Sequence, residues 1–565
     1  MKKSFVQLPK LTLKSLFDHS IENYADKSAV QFVGEDPLSY KELAKEVKKI
    51  QEILKSHGIK QGDKVALFSE NMPTWSAIYF AVTTMGAIIV PVLPDFHTSE
   101  AMHIAVHAEC KAAFISQKLF ENMLDETQPP EMKLLVISDN LNVLQKLSTK
   151  TKVESALEKG EKQLSKMGKR MGRKDKALDI NEEDLAAIIY TSGTTGSSKG
   201  VMLSHRNLVF DVIASQGVET FSPEDRFLSI LPLAHTYECT VGMLIPFLGG
   251  ASIHYIKKPP TPTILVKAMA SVKPTAMLTV PLIIEKIYKN KVLPNFQKNI
   301  IIKSLYSIPF VRKKLNKIAG KKLIKTFGGE LRFFAIGGAG VSPRVEKFLH
   351  EAKFPYCIGY GLTETSPVLA GTSPSKTKYK AIGPALDGIE FQLRNQDDKG
   401  TGTLWAKGPN IMIGYYKDPE KTAEVIDKDG WLNTEDIGYI DEDGYFFMSG
   451  RAKNIIVGSS GENIYPEQIE ATINAHNLVA DSLVFDDNGK VAARIHLDYD
   501  KVDELLGVSK KSETKMHQKV DNILEDIRRE VNENVSSFSR IQKVIEQTEE
   551  FSKTPTKKIK RYLYT

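Results

Sequence analysis

At 565 residues the chain exceeds one ordinary core, since domains run to about 100–250 residues, so at least two packed units are expected. Its 42% hydrophobic and 26% charged residues exclude a disordered or fibrous chain. Cys110, Cys239 and Cys357 lie far apart without CxxC spacing, which argues against a disulfide framework and a zinc site and fits a reducing, cytoplasmic setting.

The N-terminus begins with lysines, but Lys14 interrupts any apolar run of signal-peptide length. KELAKEVKKIQEILKSHGI reads as a helix and KVALFSE as a strand; another helix and the strand GAIIVPV follow. Asn71 to Pro94 carries no charge and is long enough to span a bilayer, yet Gly86 and Pro91 interrupt it, so it reads as a buried helix followed by a buried strand. Residues 159–176 are polar and basic without periodicity and read as an exposed connector.

Strands are expected at Leu185–Tyr190, Phe227–Leu231, Met277–Val280 and Leu331–Ile336, alternating with helical segments in the grammar of parallel α/β layers. Between Lys286 and Gly329 stand twelve Lys or Arg residues and no Asp or Glu, interleaved with Ile, Leu, Phe and Val. That pattern predicts a basic amphipathic surface, open to three readings: a dock for an anionic membrane, a dock for a strongly acidic protein, or a solvated face with no partner. After Gly450 the character changes to a short α/β unit with strands SLVFDD and VAARIHL and a charged helix near Lys515–Asn534. The expected division is therefore residues 1–450 and a small mobile domain at 454–565, with the boundary at 451–453.

The segment Tyr190-Thr-Ser-Gly-Thr-Thr-Gly-Ser-Ser-Lys-Gly-Val201 follows an apolar strand, and its backbone N–H groups and hydroxyls suit a polyphosphate. It is not a Walker A loop, because Lys199 stands three residues after Gly196 and is followed by Gly200. Further along stand Leu231-Pro-Leu-Ala-His-Thr-Tyr-Glu238, Ile336-Gly-Gly-Ala-Gly340, Tyr360-Gly-Leu-Thr-Glu-Thr365, Trp431-Leu-Asn-Thr-Glu-Asp-Ile-Gly438, Gly450-Arg-Ala-Lys453 and Lys553-Thr-Pro-Thr-Lys-Lys-Ile-Lys-Arg561.

In this order the motifs resemble those of the adenylate-forming family that includes acyl-CoA synthetases, luciferases and the adenylation domains of peptide synthetases. The resemblance extends from about Leu38 to Arg561 and is nearest to long-chain fatty acid–CoA ligases. It implies a large domain of stacked α/β layers with a small α+β lid, and two half-reactions: a fatty acid is adenylated by ATP, then passed to the thiol of CoA. An acyl carrier protein is the alternative acceptor, whereas no nucleic-acid partner is expected and oligomeric state and acyl chain length stay open.

The resemblance assigns Thr191, Ser192, Gly193, Thr194, Thr195, Gly196 and Lys199 to the phosphates, and Gly338, Ala339, Tyr360 and Gly361 to the adenine. Thr363 would meet the α-phosphate, and Glu364 with Thr191 would hold Mg²⁺, a hard cation that prefers oxygen. Asp436 and Arg451 would clamp the ribose, with Lys453 beside them as the hinge. Lys558, His235, Thr194 and Lys199 would act in catalysis, His235 as the gate to the acyl path. Rotation about Lys453 would withdraw Lys558 and bring the loop at Gly461 to the thiol. The family has Thr-Gly-Asp where this chain has Thr434-Glu435-Asp436, so the shape of that turn is the open point.

Overall fold

A computed structural model describes residues 5–126, 132–144, 179–191, 198–297, 300–457, 462–506, 513–554 and 558–565. The connector expected at 159–176, the loop residues Ser192, Gly193, Thr194, Thr195 and Gly196, and Gly461 lie outside the described residues.

The early elements follow from capping and periodicity. The helix Tyr40–Ser56 starts at a capping box between Ser39 and Glu42 and buries Leu43, Val47, Ile50 and Leu54, three to four residues apart. The uncharged stretch is a buried helix, Pro73–Thr84, and a buried strand, Ile88–Val92. No helix among the described residues is long and apolar enough to cross a membrane.

Two large sheets share the main core. One is eight-stranded, with parallel strands Ile88–Val92, Lys64–Phe68, Ala112–Ile115 and Leu134–Ile137 beside β1 (Leu185–Thr191) and β2 (Lys199–Ser204). The other is seven-stranded, with Arg226–Ser229, Ser252–Tyr255 and Ala276–Thr279 parallel to β3 (Phe333–Ile336) and β4 (Tyr356–Ile358). Strands buried on both faces are apolar throughout, which is why they read clearly in the sequence.

Between Ala276–Thr279 and β3 the crossover is unusually long and helical. It includes α1 (Ile300–Ser307) and α2 (Pro309–Thr326), and the later helix α3 (Pro343–Ala352) packs against α2. One cation of the expected basic amphipathic surface does not belong to its outer face. Arg312 turns inward and makes a forked pair with Glu351 of α3, while Asn316 donates to the same carboxylate and Gly320 lies against Ala352.

A second departure is the sheet of four antiparallel strands that follows: Glu390–Arg394, Gly402–Lys407, β5 (Leu432–Ile440) and β6 (Phe446–Arg451). Parallel layers were expected throughout, but these strands carry polar residues on their open face and lack the continuous apolar run of a parallel strand. Arg451 ends β6 in register with Asp436, and Ala452–Asn454 form a 3-10 turn. The C-terminal part has its own core around Ile469, Ile473, Val484 and Ile495, beneath the strands Val479–Asp487 and Lys490–Leu497 and the helix Glu513–Asn534.

Candidate active site

Strands β1 and β2 form an antiparallel pair in which Thr191 opposes Lys199. The Ser/Thr/Gly loop is thus held at both ends by one hairpin, with Lys199 fixed on its returning strand. The Lys199 ammonium lies 5.3 Å from the centre of the Tyr415 ring. Desolvation and the cations of Lys421 and Lys453 hold its pKa below the usual lysine range, against the carboxylates of Glu364 and Glu435.

Glu364 sits in a 3-10 turn, Thr363–Thr365, that is braced from behind. Asn410 donates to the carbonyls of Thr365 and Val368, Thr240 donates to the Ser366 carbonyl, and the buried Asp211 accepts from the Val368 amide. The Glu364 carboxylate receives the Tyr415 hydroxyl at 2.9 Å. Gly361 has a reason of its own to lack a side chain, since a Cβ there would stand 1.7 Å from the Pro367 carbonyl oxygen. Gly338 follows β3 at φ +84°, which glycine adopts freely, and Ala339 comes next. The Tyr237 ring lies against Gly337.

Tyr360 is buried with its ring against Phe446, and its hydroxyl donates to Asp436 Oδ2 at 2.7 Å. Asp436 is itself buried, and that burial raises its pKa, opposed by Arg451, Tyr360 and Lys558. Arg451 Nε approaches Asp436 Oδ1 to 3.0 Å, yet the pair is not aligned as a hydrogen bond. A buried carboxylate oxygen is therefore left as an acceptor, which suits a ligand hydroxyl.

The turn before Asp436 resolves the open point of the sequence. Glu435 adopts φ +59°, the left-handed conformation glycine would hold without cost, and its carboxylate pairs with Lys453 Nζ at 2.8 Å. The side chain that strains this turn thus takes hold of the expected hinge residue.

From the far end of the chain, Lys558 reaches the same place. Desolvation lowers its pKa, joined by Arg451 and opposed by Asp436 and Glu364. His235 caps the short helix Thr236–Cys239 by accepting from the Tyr237 amide at 3.1 Å. Burial and the Lys558 charge push its pKa down to about 4, so the ring is neutral at physiological pH. The C-terminal part rests on the larger one through Lys289, which donates to the Val479 carbonyl, and Arg344, which donates to that of Ala475.

Glu364, Asp436, Arg451, His235 and Lys558 thus converge, with Lys199 and Lys453 on the Glu364 and Glu435 side. Two partners escaped the sequence, Tyr415 and Asp211, while Glu435 was marked only as a departure from glycine and not as a partner of Lys453. For Tyr415 the only available signal is its place at the strand edge beside β2. Among the described residues no cluster of three His, Cys, Asp or Glu could cage a metal ion. One carboxylate with substrate phosphate oxygens is, however, the usual setting for Mg²⁺, and Glu364 fits it.

The profile of the AMP-binding enzyme family matches residues 17–416, and that of the AMP-binding enzyme C-terminal domain matches residues 453–564. A peroxisomal long chain acyl-CoA synthetase of Arabidopsis thaliana is 29% identical, over 86% of this chain and 73% of its own. A chloroplastic long-chain-fatty-acid–[acyl-carrier-protein] ligase of the same plant is 28% identical, over 80% of this chain and 71% of its own. The O-succinylbenzoate Coenzyme A synthetase of Bacillus subtilis, solved with ATP and magnesium ion, superposes with a TM-score of 0.71 at 18% identity, over 97% of this chain and 98% of that one, and so shares the fold.

Proposed function

The chain belongs to the AMP-binding enzyme family, and on that premise we propose that it activates a fatty acid through acyl-AMP and transfers the acyl group to CoA, releasing AMP and pyrophosphate. The observation that supports the site assignment is the buried Tyr360–Asp436–Arg451 cluster with one carboxylate oxygen left to accept, whose electrostatics the Lys558 charge enters.

In the first step the acid, already ionised at neutral pH, attacks the α-phosphate of ATP in line, and pyrophosphate leaves. No general base is needed, so catalysis rests on position and charge. The Lys558 ammonium meets the negative charge that gathers on the phosphate oxygens. Asp436 accepts from the ribose hydroxyls with Arg451 beside it, Tyr360 and the backbone at Gly338, Ala339 and Gly361 border the adenine, and Thr363 reaches the α-phosphate. Lys199, Thr191 and the loop Ser192 to Gly196 hold the outgoing phosphates. Mg²⁺, carried by Glu364 and the phosphates with Thr191 nearby, would neutralise phosphate charge. The neutral His235 ring borders the acyl path.

For thioester formation the part beyond Lys453 turns, withdrawing Lys558 and admitting the thiol. An acyl carrier protein is the second acceptor supported here, because one relative is named for that activity. A fatty-acid-dependent exchange of pyrophosphate into ATP, with AMP as product, tests the reading. Formation of ADP instead, or exchange with no dependence on added acid, overturns it. Comparing CoA with acyl carrier protein in the second step separates the two acceptors.

A further inference from the structure

The inner face of α2 is fully engaged. Besides the Arg312–Glu351 fork, Tyr306 of α1 donates to Asn316, and its ring stacks on Phe296 at 4.5 Å. The outer face is the opposite in character. Exposed positions recur every three to four residues along α2, and six of them are Lys313, Lys314, Lys317, Lys321, Lys322 and Lys325. They cover about 18 Å of helix, at about 1.5 Å per residue. No carboxylate among the described residues forms an ion pair with any of them, and the acids flanking the segment, Glu285 and Glu330, are held by the Ser342 amide and by Arg226.

Beside this charge stands apolar surface that is exposed among the described residues. Leu305 and Ile308 lie at the tight junction of α1 and α2, with Phe310 one step further at 66% exposure, and Ile318 is exposed two turns along. Lys314 Nζ sits 4.5 Å from the Phe310 ring centre. Exposed apolar side chains set among lysines suit insertion into a soft apolar phase behind an anionic surface. A basic face with apolar residues at one end is the composition that binds at the interface of an anionic bilayer: the lysines meet headgroups and the apolar tip enters the acyl boundary.

We propose that the α1–α2 hairpin is a docking surface for an anionic lipid membrane. This goes beyond the enzymatic reading and stands independently of it, because it needs neither ATP nor a substrate acid. The attraction is electrostatic in range and hydrophobic in depth, so it weakens as salt shortens the Debye length to a few ångströms.

The test is flotation of the full chain with vesicles of phosphatidylglycerol and phosphatidylcholine, against vesicles of phosphatidylcholine alone. The parent protein should float with the first at low salt and not with the second. Each lysine near such a surface strengthens binding about fivefold. Changing Lys313, Lys314, Lys317 and Lys321 together to Gln should therefore weaken vesicle binding at least tenfold, while Phe310→Ser weakens it severalfold. Arg312 is left in place because it holds α2 to α3. Both variants should turn over detergent-dispersed fatty acid as the parent does. Absence of vesicle binding at low salt, or binding that the quadruple change leaves intact, overturns the proposal. So does a quadruple variant that binds vesicles like the parent but shows a raised KM for an acyl carrier protein, which would make the face a protein dock. Failure of the enzymatic reading would appear separately, as missing acid-dependent AMP formation in a protein that still floats.

Discussion

Replacing Glu435 separates the stability of the fold from the balance between the two arrangements proposed for the part beyond Lys453. An L-residue in the left-handed region costs about 1–2 kcal/mol, which Glu435→Gly recovers, while glycine's looser unfolded chain takes back about 0.4–1 kcal/mol. The lost pair with Lys453 involves side chains 56% and 34% exposed, for Lys453 and Glu435 respectively. Such pairs contribute about 0.2–1 kcal/mol. The variant's stability should therefore lie between about 1 kcal/mol below and about 1.4 kcal/mol above that of the parent. Because β5 is fixed in the sheet, the strain at Glu435 is the same before and after the C-terminal part turns, so only the ion pair enters that balance. Breaking a contact worth about 0.2–1 kcal/mol shifts an equilibrium about 1.4- to 5-fold. Glu435→Gln, which keeps the strain and removes the charge, should accelerate thioester formation from pre-made acyl-AMP by that factor wherever the turn limits the rate. Rapid-mixing measurements of the two half-reactions at low and high salt would show it, with the gain shrinking as salt screens the parent's own pair. Combining it with Lys453→Gln should add little, because both changes remove one interaction. A Glu435→Gln enzyme whose thioester step is unchanged or slower at low salt refutes the latch.

Lys558→Ala should nearly abolish pyrophosphate exchange while thioester formation from supplied acyl-AMP survives; equal loss of both steps would show that Lys558 serves more than the phosphate charge. Glu364→Gln removes an anionic oxygen and should raise the Mg²⁺ concentration needed for half-maximal adenylation, an effect visible in a magnesium titration. Burial pushes the Glu238 carboxyl up to about 8, opposed by the Ser229 hydroxyl at 2.6 Å. Between the ordinary glutamate range and pH 8 the folded chain therefore keeps a proton that the unfolded chain releases, and stability falls as pH rises, by up to about 1.4 kcal/mol per unit. Glu238→Gln stays neutral and should lose less stability than the parent between pH 5.5 and 8 in urea melts; parallel curves would show that Glu238 is already ionised in the fold.

What the sequence made legible follows from how each signal is encoded. The buried parallel strands show as short apolar runs, so Ile88–Val92 and Phe333–Ile336 were readable within a residue or two. The resemblance drew attention to Asp436, Arg451 and Lys558 as one site, although Lys558 lies more than a hundred residues from the others and no local pattern joins them. Their partners were not legible, because pairing across a sheet or between distant segments leaves no trace in a single chain. Tyr415 is one tyrosine among nineteen until the strand edge at Gly414–Tyr415 brings its hydroxyl to Glu364. Arg312 belongs by composition to the basic run, and only the packing of α2 on α3 separates it from the six outward lysines. Glu435 is the instructive middle case. The sequence marked it as a departure from the expected glycine, but whether it merely strains the turn or also binds something depends on Lys453, eighteen positions later, lying on its side of the turn. A substitution that costs backbone energy can persist where the new side chain holds a moving part, so departures from a motif deserve testing as gains of contact as well as losses of fit.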